Sequence, residues 1–346
     1  MGKLHLKEHA KRIVRNNGII RQSCKVFNGW YVYNSLRHRF GKGRHYILIR
    51  GATGDVYIQL MLLREYVSQH KIPNYVILGD GACLRQLGNL FGLSDVFPLS
   101  NRSVNSLETL FYFLDRKGMN MIIPFFWTID HWDCCVRMTE RFSFMDSYVW
   151  QSFNMNYPVK FSKPLFLDDR ESIQFWCQNH GVKKNKTVII SPEANSVTGL
   201  PIWFWNSIIN VLITKGFNVF INCNHPTLYK APNLFPEHNM MGSVLEYAGY
   251  FLGIRSGLCD IISTVNCRKI ILYPKVHGIP DYGHHRSEAE FSDFAHMHYS
   301  LKNLTEISTP LLKNITSKDC NFDKFEDYYS EFISLNDQIL SCFDFE

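Results

Sequence analysis

The chain lacks the sequence signatures that most readily assign a protein. No stretch of about 18 apolar residues occurs in its 346 positions, and the first thirty residues carry no apolar leader core. Neither a spanning helix nor a secretory signal is expected, so the protein is placed in the cytoplasm. The ten cysteines, at 24, 83, 134, 135, 177, 223, 259, 267, 320 and 342, contain no C-x-x-C pair. Scattered in this way they read as small hydrophobes, not as a zinc set or a disulfide framework. The N-x-Ser/Thr matches at Asn101, Asn185, Asn303 and Asn314 are then chance occurrences.

Four chemical fingerprints are also missing. Without G-x-G-x-x-G there is no dinucleotide turn, without G-x-x-x-x-G-K-[ST] no P-loop, and without G-x-S-x-G no hydrolase elbow. No Asp-x-Asp occurs either, so a metal-bridged nucleotide has no anchor. Any diphosphate must be held by protein donors, and no metal or resident cofactor is expected. What is present is globular: 46% apolar, 20% charged and 14% aromatic residues. At roughly 150 residues per domain, the length suggests two domains.

Net charge is +6, unevenly divided. Residues 1–44 hold eleven Lys and Arg against the single acid Glu8, while the other 302 residues hold 26 basic and 30 acidic side chains. The basic head also contains Ile13, Val14, Ile19, Ile20, Val26, Phe27, Trp30, Tyr31 and Tyr33, which a purely solvated tail would not need. Three readings stand: a helix pair packed on the domain, contact with an anionic membrane surface, or nucleic-acid binding. The last is disfavoured because the body adds no basic stripe or recognition motif.

From residue 45, short apolar runs alternate with amphipathic stretches. Strands are expected at 45–51, 75–80, 95–99 and 119–126, with helices at 55–69, 82–91 and about 105–117. An aromatic-rich stretch at 127–163 lacks clear periodicity, and the interdomain connection is placed around 155–168. A helix at 169–180 reopens the pattern, followed by strands at 186–192, 217–222, 250–256 and 268–274. The intervening helices fall at about 201–215, at 243–250 and from 257. This repetition predicts an α/β protein of two doubly wound, Rossmann-like units with parallel sheets. The organisation expected is a basic N-terminal segment (1–44), two Rossmann-like domains (45–160 and 161–320) and a C-terminal helix (321–346) crossing back to the first domain.

Ligands of open α/β sheets collect at the carboxyl ends of strands, which directs attention to two loops. Gly51-Ala52-Thr53-Gly54-Asp55 joins the first strand to the first helix. Its glycines allow a tight turn, and Asp55 either caps the helix or stands ready to accept a proton. Gly253-Ile254-Arg255-Ser256-Gly257-Leu258-Cys259-Asp260 joins a later strand to a helix and reads either as a diphosphate cradle or as a structural turn. Glu193 and Asn195 follow the first strand of the second half and face the same cleft or shape its turn. His277, His284, His285, His296 and His298 crowd a later loop and read as solvated or ligand-adjacent, not as a metal set.

Three segments in order carry a resemblance: ILIRGATGDVYIQLMLLREY, SPEANSVTGLPIWFWNSIINVLITKGFNVFIN and VLEYAGYFLGIRSGLCDIISTVNCRKIILYP. Over roughly 45–275 the layout resembles two-domain GT-B glycosyltransferases of the heptosyltransferase-like branch, which build bacterial surface polysaccharides. The resemblance implies metal-independent, inverting transfer from a nucleotide-diphosphate sugar to a lipid-linked or surface glycan. Asp55 would be the base, with Gly51, Thr53 and Gly54 on the acceptor side. Arg255, Ser256, Gly257, Leu258, Cys259, Asp260, Glu193 and Asn195 would be on the donor side. The chain departs from the family's Asp-Thr-Gly at Arg255-Ser256-Gly257 and from a following His at Asp260, and Gly199, Leu200 and Pro201 stand where a lysine is usual. A fucosyltransferase-type GT-B enzyme and a non-catalytic nucleotide- or glycan-binding member of the fold remain as alternatives. No nucleic-acid partner is expected, and a peripheral site on the inner membrane face would give the basic head a purpose.

Overall fold

The computed structural model describes residues 18–114, 119–124, 147–194, 199–276, 303–312 and 329–343. Helix α1 (Gly18–Phe40) precedes β1 (His45–Ile49), α2 (Thr53–Gln69), β2 (Tyr75–Asp80), α3 (Gly81–Leu90), β3 (Val96–Leu99), α4 (Asn101–Phe113) and β4 (Met121–Ile122). The four strands are parallel in the order β3-β2-β1-β4. Strand β1 shows why its sequence is apolar throughout. Tyr46 and Leu48 pack into a cluster with α1 and α4, while Ile47 and Ile49 pack into another with α2 and α3. Both faces are covered, as a parallel sheet requires.

The second half repeats the plan: α5 (Arg170–Asn179), β5 (Thr187–Ser191), α6 (Ile202–Thr214), β6 (Asn218–Ile221), α7 (His238–Ala248), β7 (Gly249–Ile254), α8 (Gly257–Ile261), β8 (Arg268–Val276), β9 (Leu304–Leu312) and α9 (Tyr329–Leu340). Its five strands are parallel in the order β6-β5-β7-β8-β9. The expected mixed α/β architecture with two parallel sheets is therefore present. Within it, β9 was not anticipated, because LTEISTPLL is broken by polar residues and Pro310; an edge strand tolerates both. Helix α4 begins at 101, four residues before the periodicity suggests, because Ser100 caps it by accepting the Ser103 N–H at 3.2 Å.

Two expectations about the ends need restating. Helix α1 lies in the segment for which a packed helix pair was one of three readings, and residues 1–17 lie outside the described residues. The crossing of the C-terminal helix to the first domain is not made by α9. Phe332, Leu335, Ile339 and Phe343 instead fill a cluster with Phe204, Leu212 and Phe217 on the second sheet. Phe332 lies 5.1 Å from Phe204 and 5.5 Å from Trp203, ring centre to ring centre. The apolar stripe of α9 closes the nearest open face of that sheet.

The two sheets are not independent bodies. One apolar cluster runs from Tyr57, Phe91, Tyr148 and Phe153 to Leu234, Met241 and Leu245. The connection is strapped to both sides: Ser162 N–H bonds to Met61 O at 2.9 Å, and Leu167 N–H to Asn239 O at 2.8 Å. No helix among the described residues is long and apolar enough to cross a membrane. Truncating Phe332, which is fully buried, opens a large cavity; Phe332→Ala is expected to cost about 3–5 kcal/mol, measured as a lowered denaturation midpoint.

Candidate active site at the junction of the two sheets

The β1–α2 turn is built around Asp55. Gly51 has φ of +120°, a conformation L-residues rarely adopt, and a Cβ there would lie 2.7 Å from the Asp55 carboxylate. Asp55 sits at the third helical position and accepts the Ala52 N–H on Oδ2 at 2.7 Å, the reciprocal half of a capping box. Its other oxygen, Oδ1, accepts the Tyr148 hydroxyl at 2.6 Å. Tyr148 is buried in the short π-helical turn Ser147–Ser152, and burial, then the Asp55 charge, raise its pKa well above the ordinary value. Behind the turn, Gln59 is fully buried in the apolar run 58–63 and donates to the carbonyls of Arg50 and Asp55. The Gly-rich turn is thus held to both the strand before it and the helix after it.

The β7–α8 loop meets this turn backbone to backbone. A Cβ on Gly257 would lie 2.6 Å from the Gly54 nitrogen and 3.1 Å from Thr53 Cβ; one on Gly54 would strike the Asp260 carboxylate. Only glycine fits at either place. Beneath the contact, Arg255 grips Asp260 bidentately, Nη2 to Oδ1 at 2.6 Å and Nη1 to Oδ2 at 3.0 Å, and Nη1 also donates to the Ser256 carbonyl at 2.6 Å. Burial works against the guanidinium, but the charge and hydrogen bonds of Asp260 outweigh it and raise its pKa. For Asp260, burial raises the carboxyl pKa against the pull of Arg255, and the nearby Asp55 charge adds to the rise. The Asp55 charge thus reaches Asp260 across the junction.

The expected residues fall into two groups. Gly51, Thr53, Gly54, Asp55, Arg255, Gly257 and Asp260 come together at this junction. The Ser256 carbonyl accepts the Cys259 N–H at 2.9 Å, the Cys259 side chain is fully buried and Leu258 packs against the shared core. Glu193 stands apart, accepting the Asn224 N–H at 3.2 Å and lying 3.3 Å from His225 Nδ1, which ties the ends of β5 and β6 together. Asn195 and the histidines at 277, 284, 285, 296 and 298 lie outside the described residues. Among the described residues no group of three or more His, Cys, Asp and Glu is placed to hold a metal ion. Tyr148 and Gln59 were missed by sequence reasoning. Tyr148 lies in a stretch without periodicity, but a lone Gln in the run IQLMLL was a legible signal.

No family model and no curated protein matches the chain. Solved structures do. The structure of E. coli ADP-heptose lps heptosyltransferase II is similar over 84% of this chain and 99% of its own, at 12% identity and a TM-score of 0.52. The chain resembles the heptosyltransferase-like GT-B glycosyltransferases. A glycosyl transferase family 9 structure from Veillonella parvula is similar at 10% identity and a TM-score of 0.49, over 86% of this chain and 95% of its own. Against that resemblance, the two departures at Arg255 and Asp260 are each other's partners, an ion pair made between the two substituted positions.

Two stability measurements check this junction. Gly257→Ala is expected to cost about 1–3 kcal/mol by overpacking, and in a double-mutant cycle with Gly54→Ala the two should couple by at least about 0.5 kcal/mol. Arg255→Met leaves a buried carboxylate unpaired and is expected to cost about 3–5 kcal/mol, whereas Arg255→Met with Asp260→Leu should recover most of it. Both sets are read by denaturant titration.

Proposed function

We propose that the chain is a glycosyltransferase that moves a sugar from a nucleotide-diphosphate sugar to a glycan acceptor, lipid-linked or surface, by metal-independent inverting transfer. The observation that carries this reading is Asp55, a partly exposed carboxylate fixed by two hydrogen bonds just past the carboxyl end of the internal strand β1, where the β7–α8 loop of the other sheet meets its turn. A base aimed in advance loses no orientational freedom when the acceptor arrives. In this reading Asp55 takes the proton from the acceptor hydroxyl as the sugar's anomeric carbon bonds to that oxygen and its bond to the diphosphate breaks. Arg255 and the main chain of Ser256 to Cys259 stabilise the departing diphosphate. Tyr148 is a positioning residue that holds the Asp55 carboxylate. In this reading the exposed Gly51 and the partly exposed Thr53 border the acceptor, while Gly54 is closed off against the β7–α8 loop. The fold supports the class of reaction; inversion rests on the resemblance.

One observation favours a second reading, a non-catalytic nucleotide- or glycan-binding protein. Asp55 is engaged on both oxygens and Arg255 is already matched by Asp260, as purely structural groups would be. A panel of nucleotide sugars, with UDP, GDP, ADP and CMP as carriers and GDP-fucose included, separates the two by turnover. Asp55→Asn can still accept the Ala52 N–H and so keeps the cap. It is expected to lower kcat about 10²–10⁴-fold with nucleotide-sugar affinity retained, and Tyr148→Phe to lower it by about tenfold. Full turnover in Asp55→Asn would remove Asp55 as base. Binding without turnover across the panel would favour the second reading.

A further inference from the structure

Helices α1 and α4 lie together on one face of the first sheet, and both run from its carboxyl side to its amino side. Helix α4 starts just past the carboxyl end of β3, and further along α1 the Tyr33 hydroxyl accepts the Asn120 N–H at 2.9 Å, beside the amino end of β4. The two helices are closest at Gly29, where a Cβ would run into the Ser106 backbone, and Asn28 donates to Ser106 Oγ at 2.8 Å. Toward their N-terminal ends they leave a groove of about 430 Å³ lined by Arg21, Lys25, Asn28, Asn101, Arg102 and Asn105. Arg21, Lys25 and Asn28 follow one another at spacings of four and three, which places them on one face of α1, the face turned to α4.

This groove is on the side of the sheet where Asp55 stands. Arg50 directly follows β1 and opens the Gly51 turn, and its Nη2 donates to Asn105 Oδ1, in the groove wall, at 2.9 Å. Three cations line the groove and no carboxylate does. Among the described residues none of the three is ion-paired, and Glu108, further along α4, is taken by Arg50. Like charges gathered in this way repel, and a ligand with more than one negative charge relieves them. A phosphate monoester carries about −1.5 to −2 charges at neutral pH and matches arginine forks bidentately, whereas a uronate brings a single charge. Asn28 donates to Ser106 and Asn101 accepts from Asn105, while Asn28 Oδ1 and Asn101 Nδ2 have no partner among the described residues. An acceptor and a donor so placed suit the hydroxyls of a sugar. The groove has the size of a small-molecule site. A nucleic-acid strand would need a longer basic track, and the chain beyond residue 44 carries more acids than bases.

We propose that the α1–α4 groove binds a phosphorylated saccharide, with its phosphate held by Arg21, Lys25 and Arg102 and its hydroxyls met by the Asn28 and Asn101 amides. The site uses no group of the β7–α8 loop. A saccharide anchored there by its phosphate is presented along the carboxyl side of the first sheet, the side on which Asp55 would take a proton. That the phosphate is carried by a sugar rests on the transferase reading, whereas that the groove takes a phosphate rests on its own charge and shape.

The test is isothermal titration calorimetry of the full chain with glucose 1,6-bisphosphate, glucose and inorganic phosphate. Glucose 1,6-bisphosphate is expected to bind, more weakly as salt rises and more tightly than inorganic phosphate, while glucose alone gives no binding. Its affinity should fall about tenfold or more in Arg102→Gln and separately in Arg21→Gln/Lys25→Gln. Glutamine keeps much of the aliphatic stem and removes the charge. Because the three cations repel one another in the empty groove, neither variant should unfold at a lower temperature than the parent, so loss of binding reports the groove and not the fold. The proposal is overturned if glucose 1,6-bisphosphate does not bind, if either variant binds it as the parent does, or if inorganic phosphate binds as tightly. It is also overturned if a ten-nucleotide RNA binds more tightly than the sugar phosphate and loses its affinity in the same variants. The readout is binding and not turnover, so failure here and absence of turnover across the nucleotide-sugar panel are separate results.

Discussion

The approach of Gly54 to Gly257 is the constraint on which the rest of the junction depends. Two parallel sheets can share a core only where the loops at their edges allow contact, and here the first turns of α2 and α8 touch without an intervening side chain. That closeness brings Asp55 and Asp260 within electrostatic reach of one another. Asp260, buried there, is matched by the bidentate grip of Arg255. The glycines, the acids and the arginine are parts of one solution to bringing the sheets together.

The same solution shapes what chemistry is available. Asp55 is held from two directions, by its own helix terminus and by Tyr148 from the connection between the halves. A group oriented in this way suits proton abstraction because its direction is set before substrate arrives. The side chain of Arg255, by contrast, is a structural cation first, and its influence on a ligand passes through a nearly neutral pair.

Helix α1 covers the outer side of the first sheet and leaves Phe27, Trp30 and Tyr31 exposed. Its inner face is as closely fitted as the core, with Gly29 against Ser106 and Tyr33 beneath the β4 entry.

Local chemistry determined much of this protein. Apolar runs such as HYILI and TVIIS can only be buried strands, the amphipathic stretches between them can only be covering helices, and their alternation makes the sheets parallel. The turn glycines and Asp55 were legible for the same reason, since each meets a need of its own loop. Edge strand β9 was not, because an edge relaxes the very pattern by which strands are recognised. Nor was the attachment of α9, whose apolar stripe would fit either unit and is settled by which face stood open. Tertiary structure alone decided that Arg255 belongs to Asp260, that Tyr148 reaches Asp55 across 93 positions of chain, and that Gly54 meets Gly257. Periodicity records what each segment needs to bury, but a contact between distant segments depends on the shape each leaves for the other, which exists only once both have folded.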